Sequence, residues 1–119
     1  MTLLSKKLDN PDESRNFTHG ELSLVNVGGV TVGRVTFQPG WQWSKDIKPL
    51  AGTDSCKEAH TLYALSGRLH IVMDDGEESD VDGGDVAVIS PGHDAWVVGD
   101  EPFRAVDWSG VADYAKPAD

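Results

Sequence analysis

Cys56 is the only cysteine of the chain, and His60 follows it four residues later. His93 comes directly after Pro91-Gly92, at the head of another apolar stretch. A thiolate and two imidazoles are good ligands for Zn, Ni, Cu or Fe. The even separation of Cys56 and His60 turns both to one side if the strand is regular. Read singly, each residue has a structural role to fill as well. Cys56 suits a small buried hydrophobe, His60 a hydrogen-bonded core histidine, and His93 a turn cap beside Asp94. Spacing alone leaves both readings open. The other two histidines are placed less well for chemistry. His19 stands in a polar loop beside Gly20, and His70 falls on the solvent side of an alternating strand.

These residues depend on short strands to position them. Leu22, Leu24, Val25 and Val27 lead to Gly28-Gly29, a two-residue hairpin signal, and Val30 to Gln38 returns. Gly33 reads as a bulge in that return. Trp41 and Trp43 share a face under period-two alternation, which fits core packing or a pocket wall. Ser44 to Thr53 reads as a loop. Cys56 to Leu65 is the organising strand and ends in a turn at Ser66-Gly67. Further turns are signalled at Asp74-Asp75-Gly76, Asp82-Gly83-Gly84-Asp85, Ser90-Pro91-Gly92 and Gly99-Asp100-Glu101-Pro102. On the last strand Phe103, Ala105, Asp107 and Ser109 face one way, and Arg104, Val106 and Trp108 the other. No stretch carries a sustained helical period with caps. Eight or nine short strands with Gly turns argue an all-β sandwich or barrel.

Composition bounds the function. A chain of 119 residues suits one domain with a real core. Twenty acidic against ten basic residues give a formal charge of −10, which repels phosphate backbones and anionic membranes. The expectation is no nucleic-acid partner and no membrane partner. One cysteine cannot form an internal disulfide, which fits a reducing compartment. Met1 to Leu8 is too short and too charged for a signal peptide. A cytoplasmic protein is the expectation.

From Pro39 to Gly110 the chain resembles a cupin. HTLYALSGRLHIVMDDG (60–76) and GGDVAVISPGHDAW (83–96) carry the likeness, through a strand running into a turn, a Gly-Asp opening, an apolar strand and a Pro-Gly turn. The resemblance implies a cupin-type double-stranded β-helix, a jelly-roll barrel over 21–110. An N-terminal arm over 1–20 would lie on the barrel edge, and a polar tail would occupy 111–119. Cupins place His-x-His, then a Glu, then a Gly seven residues past the Glu. Counting back from Gly67 puts His60 at the Glu position, Cys56 at the second His and Asp54 at the first. The second motif's His position falls on Ala95, with His93 two residues earlier and able to face the same side.

The resemblance thus implies a site with swapped identities. Cys56, His60 and His93 would hold one divalent transition metal (Zn, Ni, Fe or Cu), softer than a carboxylate/His set would select. Trp43, Tyr63 and Trp96, with Trp41, would line the mouth, and Gln42, Lys45 or Arg104 would orient a polar substrate. Asp54, Glu58 and Tyr63 are the nearest options for a general base. The implied function is a metal-binding cupin acting on a small organic molecule, of dioxygenase, isomerase or lyase type. The alternative is a non-catalytic barrel that binds or senses a small molecule. A homodimer is the expected assembly.

Overall fold

The computed structural model describes residues 2–109, so the tail expected over 111–119 lies outside the described residues. In chain order the elements are β1 (Glu13–Phe17), β2 (Gly20–Val27), β3 (Val30–Phe37), α1 (Trp43–Asp46), α2 (Lys48–Ala51), β4 (His60–Ser66), β5 (Arg68–Met73), β6 (Glu78–Asp82), β7 (Val86–Ile89), β8 (His93–Val97) and β9 (Phe103–Asp107). Six strands form one sheet in the order β1-β2-β3-β9-β4-β7, and three form another in the order β6-β5-β8. Every strand pair is antiparallel.

Period-two alternation sets the inner face of each sheet. On β4, His60, Leu62 and Ala64 are buried, while Thr61, Tyr63 and Leu65 are exposed. On β9 the inward set is Phe103, Ala105 and Asp107, and on β8 it is His93, Ala95 and Val97. Leu22, Leu24, Val35, Leu62 and Phe103 of the larger sheet join Leu69, Ile71, Val81 and Val97 of the smaller in a single core. Each such side chain contributes roughly 1.5–3 kcal/mol by leaving water. The two sheets therefore pack face to face as a jelly roll, without closing into a continuous hydrogen-bonded barrel.

Three local expectations are corrected. The arm over 1–20, expected on the barrel edge, contains β1, which pairs along its whole length with β2 and ends the larger sheet. The turn between them carries His19 at φ 63°, and its Nδ1 lies 3.1 Å from Asp46 Oδ2. Gly33 makes no bulge, since β2 and β3 keep unbroken register from Gly20↔Phe37 to Val27↔Val30. The bulge in the larger sheet falls instead between Ala64 and Ser66, against β9.

The Ser44–Thr53 loop contains two single-turn helices. Pro49 sits in the first turn of α2, where no amide donor is needed, and Gly52 ends that helix in the left-handed region at φ 73°. Helices this short carry no amphipathic period, so a pattern search cannot find them. The organising strand also starts later than expected. Cys56 makes an isolated bridge to His93, and regular pairing begins at His60.

Candidate metal centre

Three separate pieces of chain bring the site together. Cys56 is held against the start of β8 by backbone bonds. Its N–H donates to His93 O at 2.8 Å, and its carbonyl accepts from Gly92 N at 2.7 Å. His93 thus lies opposite Cys56 although 37 residues separate them (93 − 56). His60 opens β4 on its inward parity. All three residues are buried, and their ligand atoms lie within 4.8 Å of one another.

Partners outside the cluster fix both rings. His60 Nδ1 lies 2.6 Å from Asp107 Oδ2, and a carboxylate can only accept, so Nδ1–H donates. His93 Nδ1 likewise donates to Ser90 O at 2.9 Å. His60 Nε2 lies 3.7 Å from Cys56 Sγ. Sulfur and nitrogen on a tetrahedral Zn²⁺ stand about 3.6 Å apart. The donor set, its spacing and the bonds that orient each imidazole fit a divalent metal, with the three protein ligands leaving a fourth position open.

Electrostatics point the same way. Burial pushes the Cys56 thiol up, but hydrogen bonds to His60 and His93 outweigh it and bring the thiol down to about 7. The backbone N–H of Glu58 adds to that pull. Burial pushes the His60 imidazole down, but Asp107, and after it Cys56, hold its charged form and raise it to about 9. Without a metal, thiolate, imidazolium and carboxylate stabilise one another in a line.

The space beside the cluster is small. A cavity of about 40 Å³ is bounded by His60, His93 and Asp107 and by apolar side chains that include Phe37, Trp41, Trp43 and Ala95. Trp41 stacks on Phe37 with ring centroids 3.7 Å apart and 6° between planes.

Of the expected pocket aromatics, Trp41 and Trp43 reach the cavity, and Tyr63 and Trp96 do not. Tyr63 is on the outward parity of β4 and is exposed. Trp96 is on the outer side of β8, tilted against His70 at a centroid distance of 4.9 Å. Strand alternation decides both cases, because Leu62 and Ala95 take the inward positions beside them. Asp54 is exposed and stands apart from the cluster, as do Lys45 and Arg104. Gln42 donates to Asp94 rather than facing the cavity. Asp107 is the site residue that sequence reasoning missed. The signal was there, since Asp107 shares inward parity with Phe103 and Ala105 on an otherwise apolar strand face.

Comparison with solved structures fixes the fold. A double-stranded β-helix protein from Klebsiella pneumoniae superposes with a TM-score of 0.59 at 19% identity, over 92% of this chain and 86% of that one. An RmlC-like cupin from Shewanella frigidimarina gives 0.55 at 13% identity, over 91% and 94% of the two chains. The fold is that of a cupin. A third cupin-fold match is the oxalate decarboxylase of Lactobacillus farciminis, in a formate complex. It gives 0.58 at 19% identity over 89% of this chain, which spans only 31% of the decarboxylase. No family model matches the sequence. No curated protein matches it either.

Proposed function

We propose that this small cupin binds one divalent transition metal through Cys56, His60 and His93 and acts on a small organic molecule beside it. The carrying observation is the convergence of three buried ligand atoms whose two imidazoles are each oriented by a separate acceptor. A thiolate with two neutral imidazoles suits Zn, Ni, Cu or Fe(II) better than a hard oxygen-seeking ion. When bound, such a metal supplies Lewis acidity or a site for an oxygen ligand.

The chain's own residues would do the rest. Asp107 would hold His60 in the tautomer that offers Nε2 and would take up the charge of the imidazolium when the metal leaves. The Ser90 carbonyl would do the same for the tautomer of His93. Trp41, Trp43, Phe37 and the aliphatic wall would exclude bulk water. The chemistry supported is a Lewis-acid or oxygen-dependent step on a small substrate, as in a dioxygenase, isomerase or lyase.

The cavity volume favours a second reading. Ligand sites for drug-sized molecules occupy about 300–1,000 Å³, several times the 40 Å³ found here. A non-catalytic cupin that senses the metal or a very small ligand needs no larger chamber. Elemental analysis of protein purified without an affinity tag or added metal tests both, beside a Cys56→Ser/His60→Ala variant. About one transition metal per chain, lost in the variant, supports the metal site. Turnover of small carbonyl or carboxylate compounds by the loaded protein then separates enzyme from sensor. Absence of metal from both proteins would overturn the proposal.

Pairing of two copies belongs to the same proposal. Among the described residues, strand β7 ends the larger sheet with one side unpaired. Val86 and Val88 are 71% and 79% exposed there. Tyr63 and Thr61 of β4 stand directly opposite them. None of these side chains carries a charge, so two chains of charge −10 can meet here with the least repulsion.

A further inference from the structure

We infer that the groove between β6 and β7 binds a small organic cation, its apolar body lodged between the two sheets and its ammonium group at Glu77 and Glu78. The inference rests on the proposed reading of a small molecule handled beside Cys56, His60 and His93, and it names the class of molecule and the way in.

The groove follows from the topology. β6 ends the smaller sheet and β7 the larger, and the chain crosses from one to the other through Gly83 and Gly84. Among the described residues β6 pairs only with β5, and β7 only with β4. The sandwich is therefore open along this side. The opening measures about 370 Å³, within the roughly 300–1,000 Å³ usual for small-molecule sites. It supplies the room that the 40 Å³ cavity lacks.

The floor of the groove belongs to the core. Ile71, Met73, Val81, Ala87 and Ile89 line it, and Met73 and Ala87 are only partly buried. An apolar body laid over them takes that surface out of water. The unbranched Met73 side chain can fit itself to such a body.

Two walls are shared with the candidate metal centre. Ile71 and Ile89 line both the groove and the 40 Å³ cavity. Ile89 stands opposite His60 in the pairing of β7 with β4. Ser90, at the edge of the groove, gives its carbonyl to His93 Nδ1. A molecule in the groove thus rests on the same two isoleucines that bound the space beside both histidines.

Charge selects the head group. Asp74, Asp75, Glu77, Glu78 and Asp80 crowd the turn from β5 into β6. Two basic side chains face them. Lys57 Nζ lies 3.6 Å from Asp74, and the His70 ring lies 2.7 Å from Asp80 and 3.5 Å from Glu78. Even with His70 protonated, five carboxylates outweigh two cations, and this mouth stays negative. Glu77 and Glu78 line the groove itself, and among the described residues no lysine or arginine does. Both are exposed, so a bound ammonium keeps part of its water and escapes the penalty of a buried charge. An anion is repelled by them and by the net −10 of the chain.

Four ligands separate these terms. 4-Phenylbutylammonium, 4-phenylbutanol and 3-phenylpropanoate each have eleven non-hydrogen atoms and carry a cation, no charge and an anion. At about 25 Å³ for each atom they fill roughly three quarters of the groove. Butylammonium keeps the cation and drops the ring. Each is titrated at low ionic strength into full-length protein stripped of metal by a chelator, so that coordination plays no part. The readout is the methyl resonances of Met73, Ile71 and Ile89, with Ile47, which lines neither space, as the control.

4-Phenylbutylammonium is expected to shift the first three resonances saturably, with a Kd of about 0.1–1 mM, and to leave Ile47 unmoved. The alcohol and the carboxylate are expected to bind at least about threefold more weakly, the worth of exposed charge pairs. Butylammonium is expected to bind at least about tenfold more weakly, because the ring no longer covers the floor. Glu77→Gln/Glu78→Gln alters two exposed side chains and should fold as wild type does. It is expected to bring the cation down to the affinity of the alcohol.

The alcohol, the carboxylate or butylammonium binding as tightly as 4-phenylbutylammonium would overturn the inference. So would an unmoved Met73 methyl, a shift that Ile47 shares, or a Glu77→Gln/Glu78→Gln variant that holds the cation as well as wild type. Metal content is measured separately on untreated protein. Cation binding without metal would remove the metal reading alone, and metal without cation binding would remove this one alone.

Discussion

His60 and Asp107 are joined by a 2.6 Å hydrogen bond between Nδ1 and Oδ2, and both side chains are buried. The two residues come from neighbouring strands, β4 and β9, of the larger sheet. Oδ1 of Asp107 accepts a further bond from Ser109 N at 3.0 Å, so the carboxylate itself is held in place. Removing such a partner usually weakens a metal site 10–100-fold. Asp107→Ala is therefore expected to lower metal affinity by about that factor in competition with a chromophoric chelator, while Asp107→Asn, which keeps an acceptor, loses less. Equal affinity in all three proteins would remove Asp107 from the site.

The thiol of Cys56 should titrate near 7 in metal-free protein. Its ordinary value is 9.0, and the folded value is lowered to about 7 against the upward push of burial. The sign follows directly. The lowered value favours folding fully above the ordinary one, and that contribution fades as pH falls through about 7. The same protonation competes with metal, so affinity should drop below that pH. The thiolate band near 240 nm, taken as the difference from Cys56→Ser, is expected to rise with a midpoint near 7 in wild type. His60→Ala should move that midpoint upward, because the main partner is lost while burial remains. A midpoint unchanged by His60→Ala would break the link between the two residues.

Much of the scaffold was legible because strand alternation and Gly turns are local signals. Gly28 and Gly29, both at positive φ, give the hairpin that their sequence announces. Cys56, His60 and His93 could be named together, but only geometry shows that Cys56 lies in a bridge opposite His93 rather than in the strand of His60. Tyr63 and Trp96 misled for one reason, since an aromatic ring near a site reads as a pocket wall until parity decides which side it faces. Asp107 stayed hidden because an acidic residue near a strand end usually faces water. Its inward parity with Phe103 and Ala105 was legible, but that it meets His60 shows only once β9 is seen beside β4. The short helices over Trp43–Asp46 and Lys48–Ala51 were out of reach, because a single turn has no period to read.

Gly67 is where the chain passes from β4 in one sheet to β5 in the other. Its φ is +81°, and an added Cβ would stand 2.4 Å from Pro102 O and 2.8 Å from Phe103 Cα, both backbone atoms. Neither can move without shifting β9. Gly67→Ala combines an unfavourable left-handed backbone with overpacking, and it should cost roughly 2–4 kcal/mol. Urea unfolding is expected to show a lower midpoint with an unchanged slope. Loss of less than about 0.5 kcal/mol would mean that this turn relaxes freely, unlike the structure described.

The proposed pairing across β7 is tested by placing a charge in its middle. Val88 is 79% exposed and stands opposite Thr61 on the outer face of the larger sheet. Val88→Asp leaves the interior untouched, since its neighbours Ala87 and Ile89 have the opposite parity, so stability should change by no more than about 0.5 kcal/mol. In a dimer the symmetric contact would bring two such aspartates close together on chains that already carry a net −10. Sedimentation equilibrium is expected to give a dimer for wild type and a monomer for Val88→Asp, with the variant's dissociation constant raised at least about tenfold and partly recovered at high salt. A wild-type monomer at all concentrations, or a variant that pairs as well as wild type, would remove this edge as the interface. The proposed metal site would be untouched by that result, because Cys56, His60 and His93 all come from one chain.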